Sequence, residues 1–162
     1  RNSTTTLNGS AAAVPPVLAA KIAGIHWWYN SRSHAAELTA GYYNTDKYDG
    51  YRDIAQMLKK YDAEFAFTCL EMLDQNLHGC DCSAQKLVTQ TRNAAWSAGL
   101  RYSGENALPI YNSAQGYDQI VAQSVVNGKA IHSFTYLRLD DQLFQSNAWN
   151  LFRNFVQRMH NL

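Results

Sequence analysis

The sequence has little net charge and no long apolar run, and each shortage argues against a class of protein. Its 162 residues carry a formal net charge of +1, so we expect no electrostatic surface for nucleic acid or for an anionic membrane. No apolar run reaches the roughly 18 residues that a membrane-spanning helix needs. No glycine-rich phosphate loop follows any predicted strand, which argues against nucleotide binding.

Cysteine is also scarce. The three cysteines, Cys69, Cys80 and Cys82, are an odd number, which argues against a disulfide framework. The Cys80-Asp81-Cys82 motif lies near His78, but it lacks the second cysteine pair of common zinc sites. We therefore expect no metal and interpret the motif as a polar surface loop in a reducing compartment.

The first 16 residues are mostly Ser, Thr, Asn and Ala, with two prolines at their end. This composition predicts a poorly ordered or divergent N-terminal segment over 1–16, followed by one domain over 17–162. The segment lacks the basic start and apolar centre of a secretory signal. We therefore expect an intracellular location, with plastid and cytosol both compatible.

Apolar and aromatic residues are plentiful. Hydrophobic residues make up 46% of the chain, which is enough for a substantial core, and there are ten Tyr and four Trp. Such aromatics either stack on sugar rings or fill a large core, and composition alone leaves both interpretations open.

Strand and helix patterns alternate along the chain. Apolar runs predict strands over 17–25, 63–69, 100–104 and 131–138. Helical spacing predicts helices over 50–61, from Ser83 to Gly99, over 115–126 and over 141–159. The order βαβαβαβα predicts an α/β protein with a parallel sheet and right-handed crossovers. Four such units are half of the eight that close a (β/α)₈ barrel.

Polar residues follow each predicted strand, where parallel α/β proteins place their sites. Glu105 is the strongest candidate, a general base on a strand tip between Gly104 and Asn106. The other candidates, in chain order, are Lys21, His26, Thr68, Cys69, Glu71 and Arg138.

Each of these has a structural alternative. Lys21 could point towards the helices, and His26 could be a core histidine beside Trp27 and Trp28. Arg138 could pair with Asp140 or Asp141, and we interpret Glu71 as a structural ion-pair partner.

Five segments at these positions resemble the β-amylase family, glycoside hydrolase family 14. They are Lys21 to Trp28, His34 to Asn44, Phe67 to Met72, Gly104 to Pro109 and Phe134 to Leu139, in the order that the family has them. The resemblance extends from about residue 19 to residue 160. It implies that the chain covers the second half of a (β/α)₈ TIM barrel.

The resemblance also implies a function. Such enzymes are inverting exo-hydrolases that release β-maltose from the non-reducing ends of starch and other α-1,4-glucans, without a metal or an organic cofactor. Glu105 matches the general base, and Cys69 matches a reactive thiol outside the catalytic groups. The positions that match sugar contacts are Lys21, His26, Thr68, Asn106, Ala107 and Arg138.

An inverting mechanism uses two carboxyl groups roughly 6.5–9.5 Å apart, and a neighbouring Lys stabilises the charge of the base. In the family, the general acid belongs to the first half of the barrel. We therefore expect a fragment with weak activity or none, whose open edge strands promote self-association. The alternative is a catalytically inactive, glucan-binding or regulatory protein on the same scaffold.

Overall fold

The computed structural model describes residues 16–162, so the predicted N-terminal segment lies outside the described residues except for Pro16. The six strands of this range are β1 (Ala19–Ile22), β2 (Glu64–Phe67), β3 (Tyr102–Glu105), β4 (Val125–Val126), β5 (Lys129–Ala130) and β6 (Ser133–Thr135). The five α-helices are α1 (Ala35–Thr39), α2 (Gly50–Lys59), α3 (Ala84–Ser97), α4 (Ala114–Ser124) and α5 (Ser146–His160). None of the helices in this range is both long and apolar enough to cross a membrane.

Four strands form one parallel sheet in the order β1-β2-β3-β6, as the alternating pattern predicts. Within residues 16–162, β1 and β6 each have only one neighbouring strand, so they are the two edges of the sheet in that range. The predicted α/β class and the predicted edge strands are confirmed, although the strands are shorter than the apolar runs.

Side chains of this sheet alternate between two environments. Phe65, Phe67 and Tyr102 are fully buried in the main apolar core, together with residues of α2, α3 and α4. Their neighbours Ser103 and Glu105 belong to the opposite face, because successive strand residues point to opposite sides. The helices therefore cover one face, and the other face carries small and polar side chains.

Helices begin where the sequence supplies side-chain caps. Asp49, Ser83 and Ser113 accept hydrogen bonds from backbone N–H groups in the first turns of α2, α3 and α4. Helix α3 ends at Ser97, and Gly99 follows two residues later with a φ of 76°, a conformation that suits glycine. These caps explain why the boundaries of α2 and α3 lie close to their predicted positions.

The last predicted strand and helix are both interrupted. Strand β6 ends at Thr135 rather than at residue 138, because Leu137 is hydrogen-bonded to the side chain of Asn106 instead of to a strand. The predicted helix over 141–159 is a 3₁₀ turn, Asp141–Phe144, followed by α5. Gln145 separates them, because its backbone is extended.

One short helix and one hairpin are not among the predicted elements. Helix α1 lies between the predicted strand over 17–25 and the predicted helix over 50–61. Strands β4 and β5 form a hairpin after α4, in which Asn127 and Gly128 both have positive φ angles, as a two-residue hairpin turn requires. Helix α4 therefore ends at Ser124, two residues before its predicted end, and the Asn-Gly pair forms the turn of the hairpin.

Gly104 allows β3 to pack closely against its neighbours. A Cβ atom at this position would lie 2.2 Å from Leu70 Cδ2 and 3.1 Å from Phe134 Cδ2. We expect Gly104→Ala to lower the free energy of unfolding by about 1–3 kcal/mol, because overpacking displaces both side chains. Urea unfolding of the two chains measures the difference.

Gly116→Ala is the matched control. Its nearest contacts are at 3.1–3.4 Å, and alanine favours the helical backbone of α4. Equal unfolding free energies for wild type and Gly104→Ala would contradict the close packing.

Candidate active site

Lys21 and Glu105 form an ion pair on the helix-free face of the sheet. Lys21 Nζ lies 2.7 Å from Glu105 Oε1, and Glu105 is mostly buried, whereas the Lys21 side chain is half exposed. The two residues belong to β1 and β3, with β2 between them. Lys21 is level with Ala66 of β2, whose methyl group leaves room for Lys21 to reach across. The alternative that Lys21 points towards the helices is therefore excluded.

Asn106, the next residue after β3, is fully buried. Its Nδ2 donates hydrogen bonds to the carbonyl oxygens of Leu108 (3.0 Å) and Leu137 (2.9 Å), and its Oδ1 accepts one from the N–H of Leu137 (2.7 Å). Both amide hydrogens are thus committed to backbone oxygens. The side chain of Asn106 ties the end of β3 to the segment after β6.

Glu71 holds the same turn from the other side. Its Oε1 accepts hydrogen bonds from the N–H groups of Ala107 (2.9 Å) and Leu108 (2.7 Å). Burial raises the pKa of the Glu71 carboxyl, and these N–H groups oppose the rise. The expected ion pair of Glu71 is not found among residues 16–162, and backbone N–H groups bind its carboxylate instead.

Arg138 binds this turn from its exposed side. Its Nε and Nη2 donate to the carbonyl oxygen of Ala107 at 3.2 and 3.1 Å. The expected pairing with Asp140 or Asp141 is not found among the ion pairs of residues 16–162. Asp140 instead accepts a hydrogen bond from Tyr111 Oη at 2.7 Å.

Thr68 and Cys69 follow β2 and contact Gly24, which follows β1. Thr68 Oγ1 accepts a hydrogen bond from the N–H of Gly24 at 2.9 Å, and Cys69 Sγ lies 3.6 Å from the Gly24 carbonyl oxygen. A Cβ atom on Gly24 would lie 2.4 Å from that sulfur. Gly24 is therefore part of the site, although the sequence analysis did not select it.

His26 is buried against Trp27, with ring centroids 4.3 Å apart, while Trp27 and Trp28 are about half exposed. Burial lowers the pKa of His26, and the charge of Asp74 partly opposes this effect. Its Nδ1 has no hydrogen-bond partner within residues 16–162. His26 is therefore buried, as the core-histidine alternative expects, but its Nδ1 is not satisfied by another group of the described residues.

The Cys-Asp-Cys motif differs from its prediction. Cys80 and Cys82 form a disulfide, with Cα atoms 5.1 Å apart, so the odd cysteine count was misleading and Cys69 is the unpaired thiol. In the part of the chain that the structure describes, no group of three His, Cys, Asp or Glu side chains could hold a metal ion.

The geometry brings most predicted site residues to one end of the sheet. Lys21 and Glu105 are in direct contact, and Asn106, Ala107 and Arg138 form one hydrogen-bonded unit beside them. A parallel sheet with helices on one face and a carboxylate at its carboxyl end is typical of α/β-barrel proteins. The fold and the site thus define a chain of the α/β-barrel class.

Comparison with known proteins identifies the family. The family model of glycosyl hydrolase family 14 matches residues 5–162, and the chain belongs to this family. "Beta-amylase 5" of Arabidopsis thaliana is 49% identical over 152 residues, covering 88% of this chain and 30% of that protein. "Beta-amylase" of Zea mays is 47% identical, covering 88% of this chain and 31% of that protein.

A solved structure agrees with these relatives. The catalytic domain of beta-amylase from Paenibacillus polymyxa has a TM-score of 0.70 and 28% sequence identity. The match covers 90% of this chain and 33% of that one. The resemblance seen in the sequence is confirmed, as is the barrel class. The chain spans about 30% of the length of the curated relatives it matches.

The surroundings of Cys69 predict low thiol reactivity, in contrast to the reactive thiol that the resemblance implies. Cys69 is buried, and burial raises the pKa of its thiol to about 11. The reactive thiolate is therefore scarce at pH 8. We expect alkylation of Cys69 by iodoacetamide in the native chain to be about a hundredfold slower than that of free cysteine.

Mass spectrometry of timed samples measures this rate. The same chain unfolded in guanidinium chloride is the control, in which Cys69 should react as fast as free cysteine. Rapid labelling of the native chain at Cys69 would show that the thiol is accessible and ionised.

Proposed function

We propose that this chain supplies the base half of a β-amylase catalytic barrel, for inverting release of β-maltose from the non-reducing ends of α-1,4-glucans. The observation that carries the proposal is the contact between Glu105 and Lys21 at the carboxyl end of a sheet of this family. The substrate class comes from the relatives, which are named beta-amylases.

Glu105 is the general base in this proposal. An inverting enzyme needs an ionised carboxylate that takes a proton from the water attacking the anomeric carbon. The ammonium group of Lys21 stabilises this charge by direct contact. The exposed remainder of the Lys21 side chain leaves its other two N–H donors available for sugar hydroxyl groups.

The turn after Glu105 is the proposed sugar-contacting edge. We assign sugar contacts to Lys21, His26, Thr68, Ala107 and Arg138. Asn106 also matches a sugar-contact position of the family, but it is fully buried and its amide hydrogens are committed, so in this proposal it holds the turn that presents Ala107. Arg138 contributes its remaining N–H groups from the exposed side.

His26 and Thr68 are the remaining contacts. His26 is buried beside the half-exposed Trp27, which offers an aromatic surface to the apolar side of a sugar ring, and the proposed contact of His26 requires its buried Nδ1 to become accessible when the sugar binds. The Thr68 hydroxyl already accepts a hydrogen bond from Gly24, and its own hydrogen can be donated to a ligand.

Glu71 does not supply the second carboxyl group. It is buried, and both N–H groups of the following turn bind one of its oxygens. The general acid in this proposal therefore comes from the part of the barrel that this chain does not span in its relatives. An intracellular location is part of the same proposal, supported by a 46% identical relative from Arabidopsis thaliana named "Beta-amylase 2, chloroplastic".

A chimera tests the proposed base. Residues 17–162 of this chain replace the matching region of Arabidopsis Beta-amylase 5, and maltose release from soluble starch is measured. We expect the chimera to release β-maltose, and Glu105→Gln to reduce the rate by about 10²–10⁴-fold, because the water is no longer deprotonated. The 162-residue chain alone should release maltose at a similarly reduced rate or not at all.

Asp118→Asn in the same chimera is the control, because Asp118 is an exposed residue of α4 that pairs with Arg158. A folded chimera that binds maltose without hydrolysing starch would favour the glucan-binding alternative. Full activity of the chimera that carries Glu105→Gln would show that Glu105 is not the general base.

Self-association is a second consequence. The edge strands β1 and β6 present unpaired backbone groups, and Val17 and Leu18 beside β1 are about half exposed or more. We expect sedimentation velocity to detect concentration-dependent association of the isolated chain. Leu18→Lys should weaken it, because a charge at the edge opposes strand pairing.

Gln115→Lys adds the same charge on the exposed surface of α4 and should leave association unchanged. A wild-type chain that sediments as a monomer at all concentrations and unfolds cooperatively would contradict the open-edge prediction.

A further inference from the structure

The Cys80–Cys82 loop is hydrogen-bonded to the segment that carries the two adjacent tryptophans. The carbonyl oxygen of Cys80 accepts a hydrogen bond from the N–H of Trp28, and that of Asp81 accepts one from the N–H of Asn30, both at 3.0 Å. Asn30 Nδ2 also donates to the carbonyl oxygen of Cys82 at 2.8 Å. Three successive carbonyl groups of the motif thus bind the 28–30 segment.

The same ladder continues into α3. The N–H of Ser83, the N-cap of α3, donates to the carbonyl oxygen of His26 at 3.3 Å. Lys86 Nζ, in the first turn of α3, donates to Asn30 Oδ1 at 2.7 Å. The 26–30 segment is therefore bound both to the cysteine loop and directly to the start of α3.

The disulfide constrains the middle of this ladder. It closes a small ring around Asp81, whose φ of 47° is a conformation that residues other than glycine rarely adopt. Asp81 is exposed, and its backbone carbonyl accepts a hydrogen bond from Asn30. Its positive φ is therefore maintained mainly by the disulfide ring and by the hydrogen bonds to the 28–30 segment. Opening the ring releases Asp81 towards more common backbone angles and turns the carbonyl groups away from Trp28 and Asn30.

We propose that the Cys80–Cys82 disulfide is a redox-sensitive clamp on the 26–30 segment, closed when oxidised and opened by a dithiol reductant. A thiolate of the dithiol attacks one sulfur of the disulfide, and the S–S bond breaks as a mixed disulfide forms. The second thiol of the dithiol then releases the remaining protein thiol. Two electrons and two protons pass to Cys80 and Cys82, and the dithiol becomes a disulfide.

The two sulfurs differ in access. Cys80 is half-buried and lies between the exposed residues Gly79 and Asp81, whereas Cys82 is buried. The first attack therefore occurs at Cys80, which makes the thiol of Cys82 the leaving group. Cys69 is buried beside Thr68 and takes no part in the exchange.

Hydrogen exchange tests the clamp in the full 162-residue chain without any ligand. Backbone amide exchange is compared before and after reduction with dithiothreitol. We expect the amides of Trp28 and Asn30 to exchange at least about tenfold faster after reduction, while amides of β2 and β3 keep their protection. Unreduced chain, unfolded and alkylated with iodoacetamide, should carry one label, at Cys69.

Two variants accompany this comparison. Cys80→Ser, which cannot form the disulfide, should resemble the reduced wild type without any reductant. Asp81→Asn keeps both cysteines and should respond to dithiothreitol as the wild type does. If Cys80→Ser does not fold, the comparison of oxidised and reduced wild type still decides the question.

Two results would overturn the clamp: three labels on the unreduced chain, or equal protection of the 26–30 amides in both redox states. A maltose titration followed by NMR tests whether the clamp affects sugar binding, and only this experiment rests on the proposed function. Weaker maltose binding after reduction supports both the clamp and the proposed sugar contact of His26. A change in protection with unchanged maltose affinity supports the clamp and counts against His26 as a sugar contact.

Discussion

The hydrogen bonds of Asn106 are the interaction on which the rest of this site depends. One buried amide joins the turn after β3 to the chain after β6, two segments about thirty residues apart in sequence. The same turn is bound by Glu71, and its Ala107 carbonyl is bound by Arg138. The position of Glu105 itself is set by its pairing with Thr135 of β6 and by the hydrogen bond from the N–H of Leu70 to its carbonyl oxygen, and the bonds of Asn106 fix the turn that follows it. The backbone of the turn is therefore determined before any ligand arrives.

The sequence could predict the α/β class and the position of Glu105, since both depend on local patterns. Alternating strands and helices, capping residues such as Ser83, and a polar residue after each strand are visible without a structure. The contact between Lys21 and Glu105 was not visible, because it depends on the small Ala66 in the strand between them. The alternative orientation of Lys21 remained open for this reason.

Other errors have a similar origin in tertiary structure. The predicted end of β6 is three residues too late, because Leu137 is hydrogen-bonded to Asn106 and Arg138 donates to the carbonyl oxygen of Ala107 instead of continuing the strand. The cysteine count suggested no disulfide, although Cys69 is buried alone and the other two are adjacent in space. Counting cannot detect a pair when a third, unrelated cysteine makes the number odd.

The polar connections around the turn after β3 also have a consequence for sequence variation. Glu71, Asn106 and Arg138 come from three separate parts of the chain, yet each binds backbone atoms of the same few residues. Substitutions at residues that share a partner have non-additive effects, so the cost of changing one depends on the state of the others.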